Sequence, residues 1–110
     1  MSNERRVVNE KTGGAKGQKD EQLGAVDPVS LLELAAVAGY GADKYERFNY
    51  LKGFEWSLSM DALFRHVLAF WAGEDNDPES GLPHTAHAAW HCLALCSYIR
   101  RNTEFDDRPK

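Results

Sequence analysis

Apolar residues recur at helical spacing along three stretches of the chain. The clearest stripe has six residues at positions i, i+3, i+4, i+7, i+8 and i+11: Met60, Leu63, Phe64, Val67, Leu68 and Trp71. This spacing predicts an amphipathic helix with one core-facing side. Ser59 is suited to cap its start, and Gly73 marks its end.

Two further stretches predict helices. Asp27 as a cap and Pro28 at the first helical position begin a helix that Gly39 and Gly41 interrupt. A short helix over 42–48 and a turn over 49–53 follow. The final helix starts at Pro83, or at a Ser80 cap, and runs to about Arg101, with core-facing residues Ala86, Ala89, Trp90, Leu93, Cys96 and Ile99.

No stretch alternates strictly as a half-buried strand does, so the pattern predicts an all-α fold, a compact helical bundle. Residues 1–26 contain four glycines and almost no large apolar side chains, which predicts a flexible N-terminal arm. The helical domain spans 27–101 and a polar tail spans 102–110. A core this thin would be completed by oligomerisation, as a homodimer or a higher homo-oligomer.

Composition narrows the function classes. The 110 residues are 43% hydrophobic, as in a folded globular protein, and the net charge of −4 argues against general nucleic-acid binding. No apolar run is long enough to span a membrane, and no secretory signal follows the N-terminus. Cys92 and Cys96, four apart in a helical pattern, are expected to be buried free thiols. We therefore expect a cytoplasmic protein.

The candidate chemistry lies between His66 and His91. The loop between the last two helices carries four carboxylates within six positions, Glu74, Asp75, Asp77 and Glu79. Oxygen ligands at this density suit Mg²⁺, Mn²⁺ or Ca²⁺, although a solvated acidic turn has the same composition. The register excludes a calcium-binding EF-hand, because Ala86 occupies the position that requires glutamate.

Histidines adjoin this loop on both sides. His84, His87 and His91 follow it at i, i+3 and i+7, and His66 precedes it. The spacing of His87 and His91 suits zinc, but Ala88 stands where a zinc protease needs its glutamate. Glu33, the only charge in an apolar stretch of the first helix, is either a surface residue or a metal ligand.

Basic and aromatic residues could contact a nucleotide. Lys44 and Tyr45 lie in the predicted short helix, Asn49 lies in the turn after it, and Arg65 precedes His66. Lysine and arginine can neutralise phosphates, and an aromatic face can stack on a base. Lys16 and Lys19 in the glycine-rich arm could close over a phosphate chain, although the arm lacks a P-loop motif.

The ordered residues resemble a phage-borne family described as dATP/dGTP diphosphohydrolases, which is related to the MazG-like all-α nucleoside triphosphate pyrophosphohydrolases. The segments that carry the resemblance are Gly41-Ala42-x-Lys44-Tyr45, Asn49-Tyr50-x-x-Gly53, Asp61-Ala62-x-x-Arg65-His66 and Gly73-Glu74-Asp75-x-Asp77-x-Glu79-Ser80-Gly81-x-x-His84-x-x-His87-Ala88. The resemblance covers roughly residues 13–98.

The resemblance implies hydrolysis of a nucleoside triphosphate between its α and β phosphates, with Mg²⁺ (or Mn²⁺) held by acidic side chains. It implies that the candidates for the metal site are Glu33, His66, Glu74, Asp75, Asp77, Glu79, His84 and His87. It also implies that the nucleotide is contacted by Lys44, Asn49 and Arg65. Within this site Glu74 or Glu79 would hold a metal against the α-phosphate, and Arg65 would offset charge on the leaving pyrophosphate.

The sequence departs from the family at three points. The first helix has Glu33 alone where the wider pattern has paired carboxylates, and Tyr50 and His91 replace an expected tryptophan and asparagine. Two other functions are therefore compatible with the sequence. One is a non-catalytic interaction protein of a phage, and the other is a zinc module built on His84, His87 and His91.

Overall fold

The structure, a computed structural model, describes residues 4–110 and is mostly helical, which confirms the predicted all-α class. Two short strands, β1 and β2, precede three helices, α1 to α3. Their bounds are Arg5–Val8, Ala15–Gln18, Pro28–Lys44, Trp56–Trp71 and His84–Arg101. Short 3-10 turns cover Leu23–Ala25, Asn49–Lys52 and Thr103–Phe105. None of the helices in this described range is long and apolar enough to cross a bilayer.

The N-terminal segment contains a β-hairpin, which the sequence did not predict. β1 and β2 pair antiparallel, with Arg5 opposite Gln18 and Val8 opposite Ala15. Gly13 adopts φ +75° in the connecting turn, a conformation that glycine takes without steric cost. The hairpin is held by backbone hydrogen bonds rather than by a buried apolar face, so apolar patterning could not reveal it. The mobility expected of residues 1–26 stays a prediction.

Helix α1 begins as predicted and ends later than predicted. Asp27 caps it by accepting a hydrogen bond from the Ser30 amide at 3.3 Å, and Pro28 occupies the first helical position. The predicted interruption at Gly39 and Gly41 is wrong, because the helix continues to Lys44. A helical glycine costs about 1 kcal/mol relative to alanine, which weakens a helix without ending it. The separate short helix over 42–48 is therefore absent from the described chain.

Helix α2 begins at Trp56, three residues before the predicted cap at Ser59. Its start is fixed by the C-terminal tail rather than by a local cap. Asp107 accepts from the Ser57 amide at 2.9 Å, and the indole of Trp56 donates to the Asn102 carbonyl at 3.1 Å. The polar tail thus packs on the first turn of α2, and Ser59 becomes a buried residue inside the helix.

The core uses a different face of α2 and α3 from the predicted one. The buried cluster contains Trp56, Ala94 and Tyr98. Most of the predicted stripe on α2 is exposed, with Trp71 85% accessible. On α3 the predicted core positions Ala89, Leu93, Cys96 and Ile99 are exposed, as is Cys92, so the expectation of buried thiols is wrong.

Of the predicted core positions on α3, Ala86 is buried, but the main buried stripe consists instead of His84, His87, Ala94 and Tyr98, with His91 half-buried among them. These positions are spaced by three or four residues, so they share one side of the helix. The polar histidines masked this stripe in the sequence pattern. As a result, the side of α3 that packs inside the molecule is also the side that carries its chemistry.

Candidate functional site

The acidic loop between α2 and α3 is a tightly hydrogen-bonded turn. Gly73 ends α2 with φ +104°. The Asp77 amide donates to the Leu82 carbonyl at 2.8 Å, and the His84 amide donates to the Asp75 carbonyl at 2.9 Å. These bonds bring Asp77 back towards the first turns of α3, so the loop and the histidine stripe form one site.

Three residues from three segments form a cluster with metal-ligand geometry. His66 of α2, Asp77 of the loop and His87 of α3 each offer a ligand atom, and these atoms lie within 4.8 Å of one another. The His66 and His87 rings stack with centroids 4.5 Å apart, and Asp77 Oδ2 lies 3.6 Å from His87 Nε2. Such a two-imidazole, one-carboxylate set can hold a divalent cation.

A hydrogen-bonded chain behind the cluster orients His66. Glu74 Oε1 lies 2.7 Å from His84 Nε2, and His84 Nδ1 lies 2.9 Å from His66 Nδ1. Because a carboxylate only accepts, His84 donates from Nε2, and when that is its single ring proton it accepts at Nδ1 from His66 Nδ1–H. This tautomer leaves a lone pair on His66 Nε2, the form that a metal ligand requires.

The protonation states agree with this arrangement. Burial lowers the pKa of His66, and the neighbouring His87 lowers it further. Burial also lowers the pKa of His87, against the opposing effect of Asp77. Burial would raise the pKa of Asp77, but hydrogen bonds from the Glu79 amide and Ser80, with the nearby histidines, lower it overall. At neutral pH the cluster therefore holds neutral imidazoles and a carboxylate.

Helix α1 reaches the loop through Glu79. Glu79 Oε1 accepts from the Tyr40 hydroxyl at 2.9 Å and lies 3.1 Å from Lys44 Nζ. Tyr40 and Lys44 are four residues apart, so they meet Glu79 from one face of α1. The hydrogen bond from Lys44, then that from Tyr40, lowers the pKa of Glu79.

Ser80 supports the cluster from the same loop. Its hydroxyl lies 2.7 Å from His87 Nε2 and 3.2 Å from Asp77 Oδ2. Tyr40 and Ser80 were both missed as site residues by the sequence analysis. The signal for Tyr40 was its position one turn before Lys44, whereas the role of Ser80 depends on the loop's fold.

An apolar cleft of about 690 Å³ opens beside the cluster. His91 lines it and stacks over His66 with centroids 6.1 Å apart, so the cleft and the cluster share a wall. Tyr50 and Trp90 line it in an edge-to-face pair at 4.8 Å. An aromatic cleft of this size suits a flat organic group such as a nucleobase.

The structure brings some predicted residues together and leaves others apart. His66, Asp77 and His87 form the cluster, with Glu74, Glu79 and His84 around it. Lys44 reaches the loop, and Tyr45 and Asn49 line the cleft. Among the described residues, the acidic candidates Glu33 and Asp75 lie outside the cluster. Lys19 pairs with Glu4 instead, and Lys16 and Arg65 are exposed. The zinc module predicted from His84, His87 and His91 contributes only His87 to the cluster.

Comparisons with known proteins agree with the resemblance noted in the sequence. The family model described as dATP/dGTP diphosphohydrolase, N-terminal, matches residues 10–108. A protein of Salmonella phage PMBT28 named dATP/dGTP diphosphohydrolase is 35% identical over 97 residues, which cover 88% of this chain and 33% of the relative. The chain thus spans a third of the length of that relative. No solved structure matches.

Proposed function

Because the chain belongs to the dATP/dGTP diphosphohydrolase family, we propose that it hydrolyses dATP and dGTP to the monophosphate and pyrophosphate with a divalent cation. The observation that carries this proposal is the shared wall between the His66, Asp77 and His87 cluster and the aromatic cleft. A base in the cleft would place its phosphates towards the cluster. The reaction would take place in the cytoplasm.

The ligand atoms of the cluster indicate which divalent cation it would bind best. His66, Asp77 and His87 would hold it, and two of these three ligands are nitrogens. Mg²⁺ prefers oxygen ligands, whereas Mn²⁺ accepts imidazole as well as carboxylate. Of the two cations expected from the sequence, Mn²⁺ therefore fits the cluster better. A bound cation would polarise the α-phosphate and lower the pKa of an attacking water.

The surrounding residues offset charge and hold the ligands. A triphosphate carries several negative charges, and Lys44, which already pairs with Glu79 on the loop, would offset part of them. Arg65, which is exposed and precedes His66 in the chain, would offset charge on the departing pyrophosphate. Glu74 orients the histidines through His84 rather than joining the cluster. Ser80 restrains His87 and Asp77 together.

A second copy of this chain is the proposed partner. The exposed face of α2 presents Phe64, Val67, Leu68 and Trp71, which helical spacing places on one side. A contiguous apolar face of this kind is characteristic of an interaction surface rather than of a solvated helix. Pairing two such faces would complete the thin core as a homodimer.

A nucleotide panel tests the proposed reaction. Pyrophosphate release from dATP, dGTP, dCTP and dTTP is measured with Mn²⁺, with Mg²⁺ and with EDTA. We expect release from the two purine nucleotides, loss of activity in EDTA, and at least ~100-fold slower turnover in Asp77→Asn, equivalent to ~2.7 kcal/mol of barrier.

Asp43→Asn, an exposed aspartate on α1, is the matched control and should retain activity. Equal turnover in both variants would contradict the proposed cluster. Metal analysis of the purified chain distinguishes the proposed hydrolase from a zinc module, because a zinc module would copurify with zinc and release no pyrophosphate. A non-catalytic interaction protein would bind the nucleotide without turnover.

A further inference from the structure

The aromatic cleft has one polar side chain at its buried end. Among the described residues that line it, Ser59 alone is buried, with 2% of its surface exposed. The other polar residues of the wall, among them Tyr45 and Asn49, are exposed or half-buried. A ligand group that reaches the end of the cleft would therefore meet the Ser59 hydroxyl.

A second hydroxyl lies behind Ser59. Tyr98 is fully buried, and its hydroxyl has no hydrogen-bond partner within the described chain. Burial raises the pKa of Tyr98, and a hydrogen-bond-type interaction with the Ser59 hydroxyl acts against this rise, so the two hydroxyls face each other just outside full hydrogen-bonding geometry. A buried hydroxyl without a hydrogen-bond partner is destabilising, because burial removes its hydrogen bonds to water and nothing replaces them. The pair is therefore an incomplete polar network at the end of the cleft, which a further hydrogen-bonding group would complete.

The position of this pair relative to the metal-ligand cluster fits one nucleoside. Ser59 and His66 lie seven residues apart on α2, as do Tyr98 and His91 on α3. Seven residues correspond to a rise of roughly 10 Å. His66 stacks over His91 at one level of the two helices, and Ser59 adjoins Tyr98 two turns away. The sugar and the base can span this interval when the α-phosphate lies at the cluster.

We propose that the Ser59 hydroxyl, backed by that of Tyr98, contacts the substituent at position 6 of a purine base. This inference rests on the proposed function and names the residue that selects its substrates. A hydroxyl both donates and accepts, so it can pair with the amino group of adenine or the oxo group of guanine. A fixed donor or acceptor would favour one base, whereas a rotating hydroxyl admits both.

The test compares substrates with and without that substituent. KM and kcat are measured for dATP, for dGTP and for the triphosphate of purine 2′-deoxyriboside, whose base carries hydrogen at position 6. In Ser59→Ala we expect KM to rise about tenfold for dATP and dGTP, equal to ~1.4 kcal/mol, and to stay unchanged for the third nucleotide. We expect kcat to remain within about twofold for all three. Tyr98→Phe, which retains the ring's packing, should raise the same two KM values about threefold.

Ser97→Ala, on the same helix as Tyr98 but outside the cleft, is the matched control and should behave as wild type. An equal rise in KM for all three nucleotides would show that Ser59 only packs, and unchanged KM values would also overturn the inference. If the wild-type chain releases no pyrophosphate, the Kd values of non-hydrolysable α,β-methylene analogues of the three nucleotides replace KM. The same pattern in Kd would then support Ser59 while the proposed reaction fails, and absence of binding would overturn both.

Discussion

The Nδ1 atoms of His66 and His84 lie 2.9 Å apart and share one proton. Because His84 donates the proton on its Nε2 to Glu74, its Nδ1 accepts when the ring carries that single proton, and His66 is then the donor between the two rings. A single carboxylate on the loop thereby determines which nitrogen of a histidine on α2 is available to a cation. We therefore propose that Glu74 would position the ligands of a bound cation rather than bind the cation itself.

We predict that Glu74→Ala weakens cation binding about 10- to 100-fold, because His84 loses its acceptor and His66 its preferred tautomer. Glu74→Gln keeps a carbonyl acceptor at the same place, so this variant should lose much less of its affinity for the cation. Titration calorimetry with Mn²⁺ measures both variants. A direct metal ligand would behave differently, since the glutamine variant would then be about as impaired as the alanine variant.

We predict that Glu79→Gln and Lys44→Met slow turnover by a similar factor, about tenfold or ~1.4 kcal/mol of barrier. The ion pair between them joins α1 to the loop, so removing either partner frees the same contact. Steady-state pyrophosphate release measures the effect, with Asp43→Asn as the control. A loss in Glu79→Gln that is much larger than in Lys44→Met would place Glu79 at the cation instead.

The elements that could be predicted from sequence are those determined by local signals. The Asp27 cap and Pro28 located the start of α1, and Gly73 located the end of α2. The start of α2 could not be predicted, because the Ser57 amide in its first turn is satisfied by Asp107, fifty positions away. The hairpin was missed because its strands bury no apolar face.

The candidate site was predicted as a region but not as a geometry. The density of carboxylates and histidines indicated the stretch from His66 to His91, in which His66, Asp77 and His87 come together. The sequence does not show which of these side chains come together. That depends on the backbone hydrogen bonds of the loop around Asp77 and on which face of α3 is buried. That face was assigned wrongly because apolar periodicity favoured Leu93 and Ile99 over the histidine stripe. Burial of paired histidines is a tertiary property that a hydrophobic pattern does not contain.

We predict that Trp71→Glu converts a dimer of this chain to monomers, raising the dissociation constant at least about 100-fold. Trp71 is 85% exposed at the end of an apolar face, and a charge there would be desolvated on pairing. Sedimentation velocity over a concentration series measures the change. Leu23→Glu, at a residue 76% exposed outside α2, is the control. A wild-type chain that stays monomeric at all concentrations would contradict a homodimer through this face.

The last prediction concerns pH and His91. Burial, with the nearby His66, His87 and Arg65, lowers the pKa of His91 to about 4, against 6.5 for an ordinary histidine. Below about pH 6.5 the unfolded chain binds a proton at this position that the folded chain does not bind until about pH 4. Stability is therefore full above pH 6.5 and is lost as the pH falls towards 4, with a loss from His91 of about 1 kcal/mol at pH 5.5. His91→Asn removes this titration, so its melting temperature should fall less than that of wild type between pH 7.5 and 5.5, by about 5 °C. Scanning calorimetry in EDTA measures this difference without a contribution from bound cations.

The variant should keep a smaller dependence of melting temperature on pH, because His66 and His87 also have lowered pKa values and act in the same direction. Ser97→Ala should keep the wild-type slope, and an identical slope in His91→Asn would show that His91 is already accessible to protons in the folded chain.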